Sequence, residues 1–359
     1  MAPVIRALKS KSSKFDVQVV VTGQHREMLD QVLEFFEITP DHDLDIMRHG
    51  QTLTDITSRV LSGLERVIYA ENPDIVLVHG DTTTTFAASL AAFYHQVAVG
   101  HVEAGLRSHD LYNPFPEEMN RRLTGALATF HFAPTQRAVE HLSGEGVCDS
   151  HIFLTGNTVI DALLGTVRDD YIFEDPVIRA LDFTQERVIL LTTHRRENWG
   201  LPMRRIFTAV RQLIQEFPDV RVVFPVHKNP RIREAAEKIL GDLPRVNLIE
   251  PPAYEEFVNL MARVYFLLTD SGGLQEEAPS LGKPVLVLRD TTERPEGVQA
   301  GTALLVGSDT DRIVEEATKL LTDLQAYSTM AKAPNPYGDG QAARRIAKIL
   351  WEQRELLKV

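Results

Sequence analysis

The sequence predicts an α/β protein with two Rossmann-like, doubly wound parallel-sheet domains, and three observations lead to this fold class. The chain has 359 residues, which is more than one hydrophobic core usually holds, so two domains are expected. Short apolar runs of strand length alternate with helical patterns along the chain. These runs are continuously apolar, which is typical of parallel strands that are covered by helices on both faces.

The apolar runs place the strands, and the segments between them place the helices. Strands are predicted in the first half at residues 17–21, 75–78, 97–99, 130–133 and 152–154. In the second half they are predicted at residues 188–191, 222–226, 246–249, 265–268, 285–288 and 303–306. The clearest helices are predicted at residues 3–8, 52–69, 82–93, 202–217, 313–324 and 341–357.

An acidic stretch without a strong strand, residues 167–186, separates the two series of strands. We therefore expect residues 1–170 to form the N-terminal domain and residues 171–339 the C-terminal domain. The last helix, from about residue 340 to residue 359, is expected to cross back to the first domain. A doubly wound domain normally opens with a strand, whereas here a helical pattern comes first. The first strand of the N-terminal domain is accordingly predicted to be missing; either the fold simply begins with a helix, or the N-terminus is truncated.

Composition disfavours several classes of partner and site. The chain has 38 Lys and Arg against 50 Asp and Glu, a formal charge of -12, so nucleic acid is not expected as a partner. The single cysteine, Cys148, excludes an internal disulfide and a thiolate zinc site, and we expect it to be a structural thiol. An apolar run of about 18 residues and a signal-peptide pattern are both missing, which predicts a cytoplasmic protein without a membrane partner.

The sequence also lacks the motifs of common cofactor and metal sites. It has no GxGxxG after a strand and no GxxxxGK[ST], which disfavours a dinucleotide cofactor and a P-loop. It has no HExxH zinc motif and no GxSxG nucleophile elbow. No cofactor and no metal ion are therefore predicted.

Three acidic residues of the first half follow predicted strands or the loop after them. Asp81, Glu103 and Glu117 could converge, because ligands gather at the carboxyl ends of parallel strands. Each also has a purely structural interpretation. Asp81 could cap the next helix, and Glu117 could be a first-turn carboxylate favoured by the helix dipole. Glu103 could pair with Arg107 or Arg121.

The strand ends of the second half are basic or rich in glycine. His194 and Arg195 follow one strand, and His227 follows the next. The pair Gly272–Gly273 lies between a strand and a helix, where backbone N–H groups can meet a phosphate. Solvated basic loops and a tight turn without a ligand are the alternatives. Together with the acidic residues, this pattern predicts a two-domain enzyme whose cleft takes a phosphorylated or nucleotide-linked substrate.

At these residues the sequence closely resembles the non-hydrolysing UDP-N-acetylglucosamine 2-epimerases. The matching motifs span nearly the whole chain: VVTGQHREMLDQVL, VHGDTTTT, GHVEAGLRS, PFPEEMNRRLT, LTGNTVIDAL, TTHRREN, VHKNP and TDSGGLQEEAPSLGKPVLVLRDTTERPE. The resemblance implies the GT-B architecture with an active site in the interdomain cleft, and a homodimer. It also implies interconversion of UDP-GlcNAc and UDP-ManNAc through a 2-acetamidoglucal, without NAD or metal.

The resemblance further implies roles for individual residues. Asp81 and Glu117 would be the acid/base pair at C2 of the sugar, and Glu103 would assist the proton transfer or organise the sugar. His194 would donate to the departing diphosphate. The residues expected to bind the UDP-sugar are Phe257 at uracil, Ser271, Gly272 and Gly273 at the diphosphate, Glu277 at the ribose, and Arg294 at the diphosphate or sugar.

The chain departs from the family pattern in two places. Family members open with a strand and a GTRPEAIK-type loop that helps to clamp the diphosphate; this chain lacks both, so we expect a truncated N-terminus and slow turnover. Some members also bind a second UDP-GlcNAc as an activator. The candidate positions for it here are Gln24, Glu27, Arg195 and His227, but Gly50 stands where some regulated members have an arginine.

Three other functions are compatible with the sequence. A GT-B glycosyltransferase would share the fold and the nucleotide-binding half. A hydrolysing epimerase would release free ManNAc and UDP. A UDP-sugar-binding protein without activity is the third alternative, because of the short N-terminus.

Overall fold

The computed structural model describes residues 1–23 and 26–357, and of residues 27 and 28 only the backbone. The chain divides into two compact units. The first comprises Met1–Ala162 and Tyr337–Val359, and the second comprises Leu163–Pro336. The boundary predicted from the sequence, after residue 170, falls inside the second unit.

The strands and helices are numbered in chain order. The strands are β1 Val20–Val21, β2 His42–Asp43, β3 Ile75–His79, β4 Ala98–Val102, β5 Phe130–Ala133, β6 Ile152–Leu154, β7 Arg187–Thr192, β8 Val220–Pro225, β9 Val246–Ile249, β10 Phe266–Thr269, β11 Val285–Val287 and β12 Ala303–Leu305. The helices are α1 Ala2–Lys9, α2 Arg26–Phe35, α3 Leu53–Glu71, α4 Thr83–Tyr94, α5 Glu117–Leu127, α6 Gln136–Gly144, α7 Thr158–Thr166, α8 Pro176–Arg179, α9 Leu201–Glu216, α10 Pro230–Leu240, α11 Tyr254–Arg263, α12 Gly272–Glu277, α13 Pro295–Gln299, α14 Thr310–Thr322, α15 Leu324–Ala331 and α16 Ala342–Glu352.

The first unit contains a four-stranded parallel sheet in the order β3-β4-β5-β6, and β1 and β2 form a separate parallel pair. Helices cover both faces of the larger sheet. On one face, Val4 of α1 and Ile346 of α16 pack with Phe132 of β5. On the other, Val60 of α3 packs in a cluster with Val99 of β4. Because both faces are buried, the strands are continuously apolar in the sequence.

The second unit contains a six-stranded parallel sheet in the order β12-β11-β10-β7-β8-β9. The chain enters at β7, continues to one edge through β8 and β9, and returns to β10 beside β7. From β10 it continues to the other edge. The strand order therefore reverses between β7 and β10, and the carboxyl ends of strands at such a reversal commonly bind a ligand.

These two sheets confirm the predicted parallel α/β fold class, and the predicted strands lie within a few residues of the observed ones. Three details differ. β2 was not predicted, because its residues are polar. The helix predicted at residues 313–324 ends at Thr322, since the Asp323 side chain accepts from two N–H groups of the next helix, α15. The last helix ends at Glu352, and a 3-10 turn, Arg354–Leu357, follows it.

Within the described residues, no helix combines the length and the apolar character that crossing a membrane requires.

Candidate active site

The turn that carries Asp81 follows β3 and is held from two neighbouring elements. Gly80 has φ of +73°, a conformation that glycine adopts without strain. Nε2 of His101 in β4 lies 2.8 Å from the carbonyl oxygen of Gly80. The Asn120 amide of α5 donates to the carbonyl oxygen of Asp81 at 2.9 Å. Both backbone carbonyls of the turn are therefore fixed.

The Asp81 carboxylate forms an ion pair rather than a helix cap. Arg121 of α5 donates to its Oδ2 at 2.6 Å. The residue that caps α4 is Thr82, whose side chain accepts from the Thr85 N–H. The N-cap interpretation of Asp81 is therefore wrong.

Glu103 follows directly after β4 in a strained backbone conformation. Its φ of +65° is uncommon for a residue with a side chain, and such strain tends to occur at functional sites. Nε2 of His79, the last residue of β3, lies 2.7 Å from its Oε2. Of the two arginines considered as its partners, Arg107 makes a double hydrogen bond to Glu145, and Arg121 pairs with Asp81.

Glu117 is the first residue of α5, so it occupies the first-turn position that the sequence suggested. The neighbouring Glu118 is buried and accepts from the backbone N–H of Ser108 at 2.9 Å and from Arg122 at 3.2 Å. The Glu118 carboxylate thus ties the loop before α5 to the helix. Asp81, Glu103 and Glu117 all lie at the carboxyl edge of the first sheet or on the helix that contacts it.

At the strand-order reversal of the second unit, Asp270 follows β10 and is completely buried. It accepts hydrogen bonds from the loop after β7: from the Thr193 hydroxyl at 2.9 Å, and from the N–H groups of His194 and Arg195 and the Asn198 amide, each at 3.0 Å. Burial acts to raise the pKa of Asp270. The hydrogen bonds outweigh burial and lower this pKa to about 2.

The imidazole of His194 lies against this carboxylate. Its Nδ1 is 3.1 Å from Oδ1 of Asp270, and its side chain is 40% exposed. The ring stacks on that of His227 with centroids 6.1 Å apart. The other ring nitrogen, Nε2, is therefore the one that can serve a ligand.

Ser271, Gly272 and Gly273 lead from β10 into α12, with Ser271 at the N-cap. A Cβ atom on Gly272 would lie 3.6 Å from Nη2 of Arg195, so this glycine lies beside a cation. A Cβ on Gly273 would meet nothing within 4 Å. The first turn of α12 therefore offers backbone N–H groups beside open space and a guanidinium, which suits an anion.

Glu277, near the end of α12, has an unusual carboxyl group. Burial, together with the adjacent charge of Glu276, raises its pKa to about 7. Burial and the charge of Glu277 likewise raise the pKa of Tyr254, which places the first turn of α11 near this carboxyl. Phe257 lies one turn further along α11 and is partly buried. Arg294 is held in an ion pair with Glu276.

The candidate activator positions are only partly described. Gln24 and the side chain of Glu27 lie outside the described residues. Arg195 lies 3.7 Å from Glu293, and His227 stacks on His194, so both are next to the strand-order reversal of the second unit. The described part of the chain contains no group of three or more His, Cys, Asp or Glu that could hold a metal ion.

Comparisons with known proteins agree on one family. A model of the family described as UDP-N-acetylglucosamine 2-epimerase matches residues 6–351. A UDP-N-acetylglucosamine 2-epimerase of Bacillus subtilis (strain 168) is 58% identical over 350 residues, which cover 98% of this chain and 91% of that protein. The crystal structure of UDP-GlcNAc 2-epimerase from Neisseria meningitidis bound to UDP-GlcNAc has a TM-score of 0.85 and 48% identity, and the match covers 98% of this chain and 96% of the other.

A more distant structure, the glycotransferase of kitacinnamycin, has a TM-score of 0.66 at 13% identity, and the match covers 98% of this chain and 94% of the other. A likeness at this identity concerns the fold alone. Together with the two parallel sheets, it confirms the predicted GT-B fold.

Proposed function

Because the chain belongs to the UDP-N-acetylglucosamine 2-epimerase family, we propose that it interconverts UDP-GlcNAc and UDP-ManNAc and is therefore an isomerase. The observation that carries this proposal is that the two units present different kinds of residue at their sheet edges. Carboxylates gather at the sheet edge of the first unit, while the strand-order reversal of the second presents glycines and basic side chains. Proton transfer at a sugar carbon needs the first set, and binding a nucleoside diphosphate needs the second.

In the proposed reaction a base removes the proton from C2 while the C1–O bond to UDP breaks. A C1–C2 double bond forms, which gives 2-acetamidoglucal and free UDP. UDP then adds back to C1 as a proton is delivered to the other face of C2. Inversion at C2 thus requires groups on both faces of the sugar, and we assign them to Asp81 and Glu117, with Glu103 assisting through its pair with His79.

We assign UDP to the second unit. Ser271, Gly272 and Gly273 would bind the diphosphate through the first turn of α12, and His194 would donate to it as it departs. Glu277 would accept from the ribose hydroxyls, and Phe257 on the neighbouring helix would contact uracil. Arg294 would bind the diphosphate or the sugar by exchanging its ion pair with Glu276.

The experiment that tests the reaction is incubation with UDP-GlcNAc in deuterated water, followed by NMR at C2. We expect deuterium at C2 and the appearance of UDP-ManNAc. Asp81→Asn and Glu117→Gln should each lower exchange by about 10²–10⁴-fold, the usual contribution of a general acid or base. UDP affinity measured by calorimetry should remain nearly unchanged. Glu140→Gln, an exposed acidic residue of the same unit, is the matched control.

A second experiment tests the UDP assignment. Gly273→Asp would place a carboxylate where we expect the diphosphate, so calorimetry should show a large loss of UDP affinity. Gly165→Asp is the control, because it lies in the same unit and a Cβ there also meets nothing within 4 Å. Equal UDP affinity of the two variants would contradict the assignment.

The alternative functions give different products in these assays. UDP release that depends on an acceptor would indicate a glycosyltransferase, and free ManNAc would indicate a hydrolysing epimerase. UDP binding without deuterium at C2 would indicate a binding protein. The homodimer, the cytoplasmic location and the binding of a second UDP-GlcNAc remain predictions.

A further inference from the structure

The buried carboxylate of Asp270 has no role in the function proposed so far. It follows β10 but receives its hydrogen bonds from the loop after β7, so it joins the two strands that flank the order reversal. Its side chain is completely inaccessible to solvent. A buried charge is costly unless every oxygen is hydrogen-bonded, and here several donors supply those bonds. The carboxylate is therefore rigidly placed.

His194 differs from the other partners of Asp270, because its side chain is also exposed to solvent. Thr193 and Asn198 are buried, whereas the side chain of His194 is 40% exposed. His194 meets Asp270 twice, through its backbone N–H and through ring atom Nδ1 at 3.1 Å. The contact fixes the ring plane as well as the loop.

The contact also determines which ring nitrogen carries a proton. A carboxylate oxygen can only accept, so the short Nδ1–Oδ1 contact requires a hydrogen on Nδ1. In the neutral ring this leaves Nε2 as a bare acceptor. In the doubly protonated ring Nε2 also carries a hydrogen. Only the protonated ring can therefore donate from Nε2 to a leaving diphosphate.

We propose that Asp270 is a positioning residue of this enzyme: it holds the His194 ring with Nδ1 protonated and presents Nε2 to the departing diphosphate. The proposal rests on the proposed function for its diphosphate, but the state of the His194 ring can be measured without turnover. The competing explanation is that Asp270 only ties the two loops together.

The first test is ¹⁵N NMR of the imidazole nitrogens in the unliganded wild-type protein at a pH where the ring is neutral. His194→Gln identifies the His194 signals among those of the 12 histidines. We expect a protonated Nδ1 and a bare Nε2. A ring with the hydrogen on Nε2 would overturn the proposal, whatever reaction the protein catalyses. Failure of the C2 exchange assay, in contrast, would contradict the proposed function and leave this result standing.

The second test is a double-mutant cycle on turnover and UDP affinity. Asp270→Asn should lower turnover by about 10²–10⁴-fold, as the loss of the carboxylate does in other His–Asp pairs. It should weaken binding of UDP more than that of uridine, which lacks the diphosphate. In the His194→Gln background it should have little further effect, because the two residues act as one unit. Additive effects would overturn the proposal.

Thr193→Val is the matched structural control. It keeps the side-chain shape and removes one hydrogen bond to Asp270, but it leaves the ring contact of His194 in place. We expect it to lower thermal stability while turnover stays within about threefold and the ring keeps its Nδ1 hydrogen. If Thr193→Val reduced turnover as much as Asp270→Asn, the role of Asp270 would be to hold the loop and not to orient the His194 ring. The wild-type NMR measurement stays decisive should Asp270→Asn fail to fold.

Discussion

The carboxyl of Glu277 makes a pH dependence of nucleotide binding testable. Burial raises its pKa to about 7, so near neutral pH the group is partly protonated before UDP binds. Ribose hydroxyls that donate to it favour the ionised form, and binding then releases a proton below this pKa. We expect UDP affinity to fall about tenfold between pH 8 and pH 6, as linkage to one proton requires. Isothermal titration calorimetry across this range checks the slope.

Two controls isolate Glu277 from other titrating groups. Uridine retains the ribose but has no phosphate, so its affinity should show the same slope without any contribution from phosphate ionisation. Glu277→Gln cannot titrate and should flatten the dependence. A slope that persisted in Glu277→Gln would assign the proton to another group.

His101 should affect catalysis without touching the substrate. It is buried, and burial lowers its pKa to about 3, so the ring is neutral and donates from Nε2 to the Gly80 carbonyl. His101→Phe removes that donor and frees the turn of Asp81. We expect turnover to fall by about 10–10²-fold with UDP affinity unchanged, because small displacements of a reacting group are costly. C2 exchange and calorimetry measure the two quantities.

The matched variant for this prediction is His131→Phe. His131 lies opposite His101 on the neighbouring strand, is equally buried, and has its pKa lowered by burial to about 4. Its backbone partner is Ala128, away from the Asp81 turn. Both variants should lose roughly 1–3 kcal/mol of stability. Only His101→Phe should lose turnover beyond that, and equal turnover of the two variants would refute the positioning role.

Sequence reasoning found the acidic and basic strand ends but not the partners that organise them. Asp81 and His194 can be predicted as site residues, because polar residues that follow apolar strand runs are easily recognised in the sequence. His79 does not stand out in the sequence because it ends an apolar strand, and Asp270 does not because an aspartate before Ser-Gly-Gly is typical of a turn. Their importance depends on contacts between residues 24 and 76 positions apart in the sequence. Such contacts exist only once parallel strands are placed side by side.

At the level of elements, the cap of α16 gives a stability prediction. The Asp161 carboxylate accepts from the N–H groups of Ala342 and Ala343 at 3.1 and 2.8 Å, whereas the N-cap residue Gln341 supplies no side-chain hydrogen bond. Asp161→Ala should therefore destabilise the first unit by about 1–2 kcal/mol. The chain has two tryptophans, Trp351 on α16 and one in the second unit, so urea unfolding can be followed at Trp351 alone once the other is replaced.

In this experiment Trp199, the tryptophan of the second unit, is changed to phenylalanine (Trp199→Phe). Asp311→Ala, in the first turn of α14, is the control because Asp311 is exposed and a different residue caps that helix. An unchanged Trp351 midpoint in Asp161→Ala would show that the cap contributes nothing.

The parallel strands were predictable because burial on both faces forces continuous apolar runs, a local signal. Features that depend on capping or on pairing between distant polar residues were not. β2 has the polar sequence His42–Asp43 and is a strand only through its pairing with β1. The break between α14 and α15 depends on Asp323, which in the sequence sits inside an otherwise helical pattern.

At the level of the whole molecule, the parallel direction of the strands places the candidate catalytic residues at one edge of each sheet. All strands of each sheet are parallel, so their carboxyl ends share one edge, and the catalytic candidates lie there. The helices that precede β3 and β4 end at the opposite edge. Tyr69 in the last turn of α3 is 83% exposed, and Tyr94 at the end of α4 is 68% exposed. We interpret these two exposed aromatic side chains, on helices that pack against each other, as part of an interaction surface.

We expect this edge of the first unit to form the homodimer that the family resemblance implies. Light scattering at micromolar concentration should give a mass of about 81 kDa, twice the 40.3 kDa of the chain. The double variant Tyr69→Glu, Tyr94→Glu should give a monomer, because burying two carboxylates in an apolar interface costs several kcal/mol. Leu324→Glu, at an exposed position of the second unit, should remain a dimer. A wild-type monomer under these conditions would contradict the assembly, and a dimeric double variant would place the interface elsewhere.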